Sequence, residues 1–117
     1  QSIHKRYKKI INTINNLSIS DSPDFATSNY WLNILEISKK LTKKKLSKLI
    51  NYLKKNGIEV KPLWYPNHLQ KKYKDCQKYK IKNINKIYLN RLCLPSGVGL
   101  TNKQQNFICK KLKKFFC

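Results

Sequence analysis

Methionine is missing from all 117 residues, and the first residue is glutamine. The sequence is therefore expected to start inside a longer gene product. Acidic residues are scarce: Asp21, Asp24, Glu36, Glu59 and Asp75 complete the set. No two of them fall in a motif for acid–base work or metal binding. Histidine occurs only as His4 and His68, far apart in the chain. No C-x-x-C pair exists, and no histidine stands at zinc-finger spacing, so a zinc module is excluded. No apolar run is long enough to cross a bilayer, and no basic start followed by an apolar middle marks a signal peptide. The expectation is a cytoplasmic protein with no membrane partner. No internal repeat is visible.

Arginine is nearly absent too. Of 26 basic residues only Arg6 and Arg91 are arginine, in a chain of net charge +21. Such a charge raises nucleic acid as a partner through counterion release. Arginine, however, is the better residue for bidentate phosphate and base contacts. The abundance of Asn and Ile beside Lys fits a solvated lysine surface, so nucleic acid is the weaker alternative. The four cysteines are Cys76, Cys93, Cys109 and Cys117. Cys93 and Cys109 lie in apolar patterns and are expected to be buried, reduced thiols. Cys117 is expected to be exposed and prone to oxidation.

What is present is patterned. Ile3, Tyr7, Ile10, Ile11, Ile14 and Leu17 recur at helical steps, giving one apolar stripe. Residues 18–23 should break that helix with turn chemistry. The aromatic and β-branched stretch 28–38 predicts a central strand buried on both faces, with Tyr30, Leu32 and Ile34 on one of them. Thr42 is a good N-cap for a helix carrying Leu46, Leu49, Ile50 and Leu53, which Asn56-Gly57 should end. Residues 58–62 alternate as a short strand ended by proline. Ile81, Ile84, Ile87 and Tyr88 predict another amphipathic helix. Leu92-Cys93-Leu94 is a strand stopped by Pro95. Thr101 or Asn102 should cap a last helix with Phe107, Ile108, Leu112, Phe115 and Phe116 on its face. The expected architecture is α/β (α+β), a small sheet of about three short strands with helices mainly on one face.

Two loops could carry chemistry. Lys61-Pro62-Leu63-Trp64-Tyr65-Pro66-Asn67-His68-Leu69-Gln70 sets aromatic and imidazole groups between prolines. Blandly, Trp64 is a core anchor and His68 caps a short helix. Functionally, aromatic faces suit sugars and nucleobases, and an imidazole can donate to a phosphate or carboxylate. Leu94-Pro95-Ser96-Gly97-Val98-Gly99-Leu100-Thr101 places two glycines where close backbone approach and positive φ are permitted. It lacks the phosphate-loop pattern, and read alone such a turn is more often structural. Cys93 with His68 as nucleophile and base is disfavoured, because a reactive thiol wants an open, electropositive site.

These segments together resemble the C-terminal end of the DegT/DnrJ/EryC1/StrS sugar-nucleotide aminotransferases. Residues 28–32 resemble the family's small-domain strand, and 41–57 its helix ending in a "GI" turn. Val60 to Gln70 is similar to the family's "RPLWKPMHLQ" segment, with Tyr65 where many relatives have Lys. Arg91 to Gly97 is similar to "GLCLPSG", followed by the usual "LT" helix start.

The resemblance implies the small C-terminal domain of a fold-type I aminotransferase. Residues 1–20 would be the end of an interdomain helix and linker, and 21–117 the small domain, with the cofactor domain absent. It implies pyridoxal phosphate as cofactor, bound mainly by that absent domain, whose Schiff-base lysine has no match here. This piece alone would not transaminate. Glutamate and a nucleotide-linked 4-keto-6-deoxy sugar would be the substrates, UDP-linked favoured and GDP-linked next, in bacterial surface-glycan synthesis, with a homodimer as the complete enzyme. Trp64, Tyr65, His68, Ser96 and Gly97 would be the substrate-binding residues.

Overall fold

A computed structural model describes residues 1–38 and 41–116 of the chain. The element order is α1 (Ser2–Ile11), β1 (Leu17–Ile19), β2 (Asn33–Ile37), α2 (Lys43–Lys55), β3 (Lys61–Pro62), α3 (Ile84–Ile87), β4 (Arg91–Leu94) and α4 (Asn102–Phe116). The strands form one four-stranded antiparallel sheet in the order β1-β2-β4-β3.

The apolar stripes explain the packing. Tyr7 and Ile11 of α1, Leu46, Leu49 and Leu53 of α2, and Ile108 and Leu112 of α4 are buried. They share a single core with Leu17, Ile19, Leu35, Ile37, Leu92 and Leu94 from alternate positions of the strands. Each such side chain contributes roughly 1.5–3 kcal/mol by leaving water. Helix α2 starts where Thr42 Oγ1 accepts from Lys45 N at 3.2 Å. It ends as anticipated: Gly57 takes φ +72, its N–H meets Lys54 O at 2.9 Å, and Ile58 N meets Leu53 O at 3.0 Å. That pair of reversed bonds satisfies the last carbonyls of the helix.

Several expectations change. The stripe of α1 stops at Ile11. Leu17 opens β1 instead, and its pairing with Ile37 makes a strand of residues expected to turn. The sheet therefore has four strands. The strand at 28–38 shrinks to Asn33–Ile37, with Asn33, Leu35 and Ile37 buried and Ile34 and Glu36 half-buried. The phase is set by the helices on one side only, so Leu32 and Ile34 face outward. Tyr30 leaves the strand altogether, at φ +52. The helix expected around Ile81 to Tyr88 is a single turn at Ile84–Ile87, continued as a tighter turn over Tyr88–Asn90. Residues 58–62 alternate buried and exposed through Lys61 as expected, yet only Lys61 and Pro62 join the ladder, against Cys93 and Leu92. In α4 the inward positions are Gln105, Ile108, Cys109 and Leu112, while Phe107 turns outward. Cys109 is buried but Cys93 is only half-buried, because its strand position points away from the helices. Cys117 lies outside the described residues.

Candidate functional site

The strand β4 aims one loop at a groove. After Leu94, the Pro95-Ser96-Gly97 corner closes with Leu100 N on Gly97 O at 3.0 Å. Thr101 then caps α4, its hydroxyl accepting from Gln104 N at 3.2 Å while the Gln104 side chain accepts from Thr101 N at 2.8 Å. Between this corner, the start of α4 and residues 57–61 lies a groove of about 470 Å³. Its floor is apolar, with Ile58, Leu94, Pro95, Leu100 and Ile108, and its rim carries Glu59, Lys61, Ser96 and Gln104. Glu59 and Lys61 pair at 3.6 Å in solvent. Cys93 also lines the groove, and burial pushes its thiol above the ordinary range. A thiol held protonated is a poor nucleophile.

Gly97 and Gly99 do not need positive φ, contrary to one reason offered for them; the positive-φ glycine is Gly57. Open space surrounds both, and of the two only Gly97 lines the groove, where it offers bare backbone.

The second predicted loop goes elsewhere. Trp64 is 69% exposed and Tyr65 half exposed, so Trp64 is no core anchor. Tyr65 meets the Tyr88 ring edge-on at 6.1 Å. His68 sits half-buried inside a short turn at Asn67–Leu69. Gln70 Nε2 braces this loop, donating to Tyr65 O at 3.1 Å and Asn67 Oδ1 at 3.0 Å. In the register Lys61↔Cys93 and Pro62↔Leu92, Trp64 runs toward the start of β4. Ser96 lies beyond its other end, level with Ile58. The separation along the strands is on the order of 20 Å, at about 3.3 Å per residue. The structure brings Ser96 and Gly97 together, and Trp64, Tyr65 and His68 together, at opposite ends of β3–β4.

Behind the corner lies a polar cluster that sequence reasoning missed. Asn33 and His4 are both buried. His4 Nδ1 is 3.2 Å from Asn33 Oδ1, and its ring stacks on Tyr30 at 3.8 Å between centroids. The other ring nitrogen lies 3.4 Å from Asp21 Oδ1, at ion-pair distance but without hydrogen-bond alignment. Tyr30 OH donates to Asp21 Oδ1 at 2.8 Å, and Lys8 Nζ donates to Oδ2. These contacts, the one to Lys8 first, hold the Asp21 carboxyl far below the usual carboxylate range. The signal was faint but present: His4 shares the stripe phase of Ile3, Tyr7 and Ile11, and Asn33 interrupts the inward phase of Leu35 and Ile37.

Among the described residues no group of three potential metal ligands gathers, and no helix is long and apolar enough to cross a membrane. Every described lysine side chain is exposed except half-exposed Lys111. A Schiff-base lysine needs a desolvated pocket, and none of the described lysine side chains has one. The described residues do not make a pyridoxal phosphate site by themselves.

The sequence profile of the DegT/DnrJ/EryC1/StrS aminotransferase family matches residues 1–113. The chain is 24% identical over 120 residues to EpsN of Bacillus subtilis, described as a pyridoxal phosphate-dependent aminotransferase, covering 99% of this chain and 30% of that protein. It is 28% identical over 89 residues to the GDP-perosamine synthase of Vibrio cholerae, covering 75% of this chain and 24% of that one. The fold is similar to that of the sugar aminotransferase Spr1654 from Streptococcus pneumoniae in its PMP form, with a TM-score of 0.82 at 19% identity over 97% of this chain and 29% of that structure. The chain thus spans under a third of the length of the relatives it matches.

Proposed function

The chain belongs to the DegT/DnrJ/EryC1/StrS aminotransferase family, and from that premise we propose that it is the C-terminal small domain of a pyridoxal phosphate-dependent sugar-nucleotide aminotransferase. The complete enzyme moves an amino group from glutamate to a nucleotide-linked 4-keto-6-deoxy sugar, UDP-linked in preference to GDP-linked, and works as a cytoplasmic homodimer. Helix α1 (Ser2–Ile11) ends the helix that joins the small domain to the cofactor domain, and the small domain begins no later than β1 at Leu17–Ile19, which already pairs with β2. The cofactor and its lysine belong to that other domain, since none of the described lysine side chains here sits in a desolvated pocket.

The observation that carries this proposal is the groove beside Pro95-Ser96-Gly97. It is an apolar trough with a polar rim and bare backbone at its mouth, the build of a small-molecule wall. In this role the corner orients the substrate and helps exclude water. Trp64, Tyr65 and His68 form a second contact set at the far end of β3–β4. An extended nucleotide sugar offers two separated groups, base and sugar, for two such sets. A nucleic-acid module is the weaker alternative, because the family match accounts for the chain from residue 1 to 113 without one.

The test is to express the longest reading frame containing this chain, add pyridoxal phosphate, and record the visible absorption before and after glutamate. A yellow band that bleaches with glutamate is the expected result. A protein that takes up no cofactor overturns the proposal.

A further inference from the structure

The Ser96 hydroxyl is fully occupied inside the protein. Its proton goes to Leu94 O at 2.9 Å, and it accepts from Asn33 N and from Asn33 Nδ2, each at 2.9 Å. A serine hydroxyl offers one donor and two acceptor sites, so nothing remains for a ligand. The amide of Asn33 is oriented by the same contacts. With Nδ2 turned to Ser96, Oδ1 faces His4, and the hydrogen of that bond resides on His4 Nδ1. His4 is held in turn by the Tyr30 ring, which the left-handed backbone at φ +52 turns onto it. A bulky residue keeps such a conformation only where its surroundings over-determine it. One turn along α1, Tyr7 OH donates to Pro95 O at 3.0 Å. Helix α1 therefore grips the corner at two successive residues, Pro95 directly and Ser96 through Asn33.

We propose that Asn33 and His4 are positioning residues for the Ser96–Gly97 corner, and that a nucleotide-linked sugar meets this corner through its backbone while the Ser96 hydroxyl faces inward. The second clause rests on the reading of the groove as a substrate wall; the first does not. His4 and Asn33 are buried and Ser96 is half-buried, and the bonds that link them hold one arrangement because each partner left unpaired inside the protein is costly. Breaking these bonds at Asn33 frees the corner without touching the groove floor.

Two measurements test this. The first uses amide correlation NMR spectra of the 117-residue chain and needs no substrate. Asn33→Ala and Ser96→Ala are expected to displace the Gly97 and Gly99 resonances and leave Leu49 and Leu53 of α2 in place. Ser96→Thr, which keeps the hydroxyl, is expected to restore them. If Asn33→Ala fails to fold, Ser96→Ala decides. Glycine resonances that stay at wild-type positions overturn the positioning role. The second is steady-state transamination of a UDP-linked 4-keto-6-deoxy sugar by the full-length protein carrying this chain. Both alanine variants should raise KM about tenfold with kcat changed by less than about twofold, and Ser96→Thr should stay near wild type, as expected for lost uniform binding. An unchanged KM, or a loss confined to kcat, overturns the contact with substrate. A wild-type protein without transaminase activity sinks the proposed function, and the glycine resonances still judge the positioning.

Discussion

Asp21 receives a lysine, a tyrosine hydroxyl and the Ser22 amide. A carboxyl held below its unfolded value stabilises the fold above that value, and its contribution is lost as pH falls. The loss should therefore begin near 3.8, the ordinary value, and continue downward. Thermal melts of wild type and Asp21→Asn should differ at neutral pH and converge in acid. At the alkaline end the sign reverses. Burial pushes Cys109 from 9.0 up to about 11, with Arg6 acting the other way. A raised thiol leaves stability intact below 9.0, and stability then falls through about 11 as the unfolded chain ionises first. Burial raises the Tyr7 phenol as well, so the decline continues above that window. Cys109→Ala should flatten the alkaline slope between those values. Leu49, fully buried on α2, should cost roughly 2–5 kcal/mol in urea unfolding when cut to Ala. The core residues were the legible ones, since Tyr7, Leu49, Leu53 and Leu112 follow from period alone. His4 and Asn33 were not, because a polar residue in an apolar phase shows its meaning only when its partner is known, and Asn33 lies 29 positions from His4.

Helix ends were legible because their chemistry is local. Thr42, Gly57 and Thr101 act on neighbours within five residues, and each caps as its type requires. Gly57→Ala should cost about 1–2 kcal/mol, the strain of a left-handed Cβ, because open space around the site leaves no clash to add. Thr42→Ala should cost about 1 kcal/mol. Both can be read from the urea midpoint at constant slope. Strands were less legible. Only three residues make β1, and their pairing partner lies across a loop of 13 residues (20 to 32), so no local pattern announces them. The phase of β2 was likewise set from outside, by helices that cover one face of the sheet. The two loops were legible as unusual; that β3 and β4 carry them to opposite ends follows only from antiparallel register.

At the scale of the molecule, the net charge of +21 works against compactness. Helices α1, α2 and α4 contain no acidic residue, so apart from Lys8, which Asp21 compensates, their exposed lysines repel one another. Salt screens such repulsion over a Debye length of about 8–10 Å near physiological strength. The melting temperature should therefore rise from low salt to moderate sodium chloride, which calorimetry at neutral pH can check; a fall would show that attractive pairs dominate. The family was legible in the ordered motifs from Val60 to Thr101; the groove was not, because Ile58 and Ile108 meet the Pro95–Gly97 corner only once the sheet and α4 are in place.

One of the two edge strands, β3, offers the sheet only Lys61 and Pro62. A sheet margin with unpaired amides invites a second chain to add on. Here proline removes an amide that an incoming strand would need, and lysine puts a charge beside it. The margin is closed to growth, so the exposed aromatics beyond it at Trp64 and Tyr65 can be displayed without seeding fibrils.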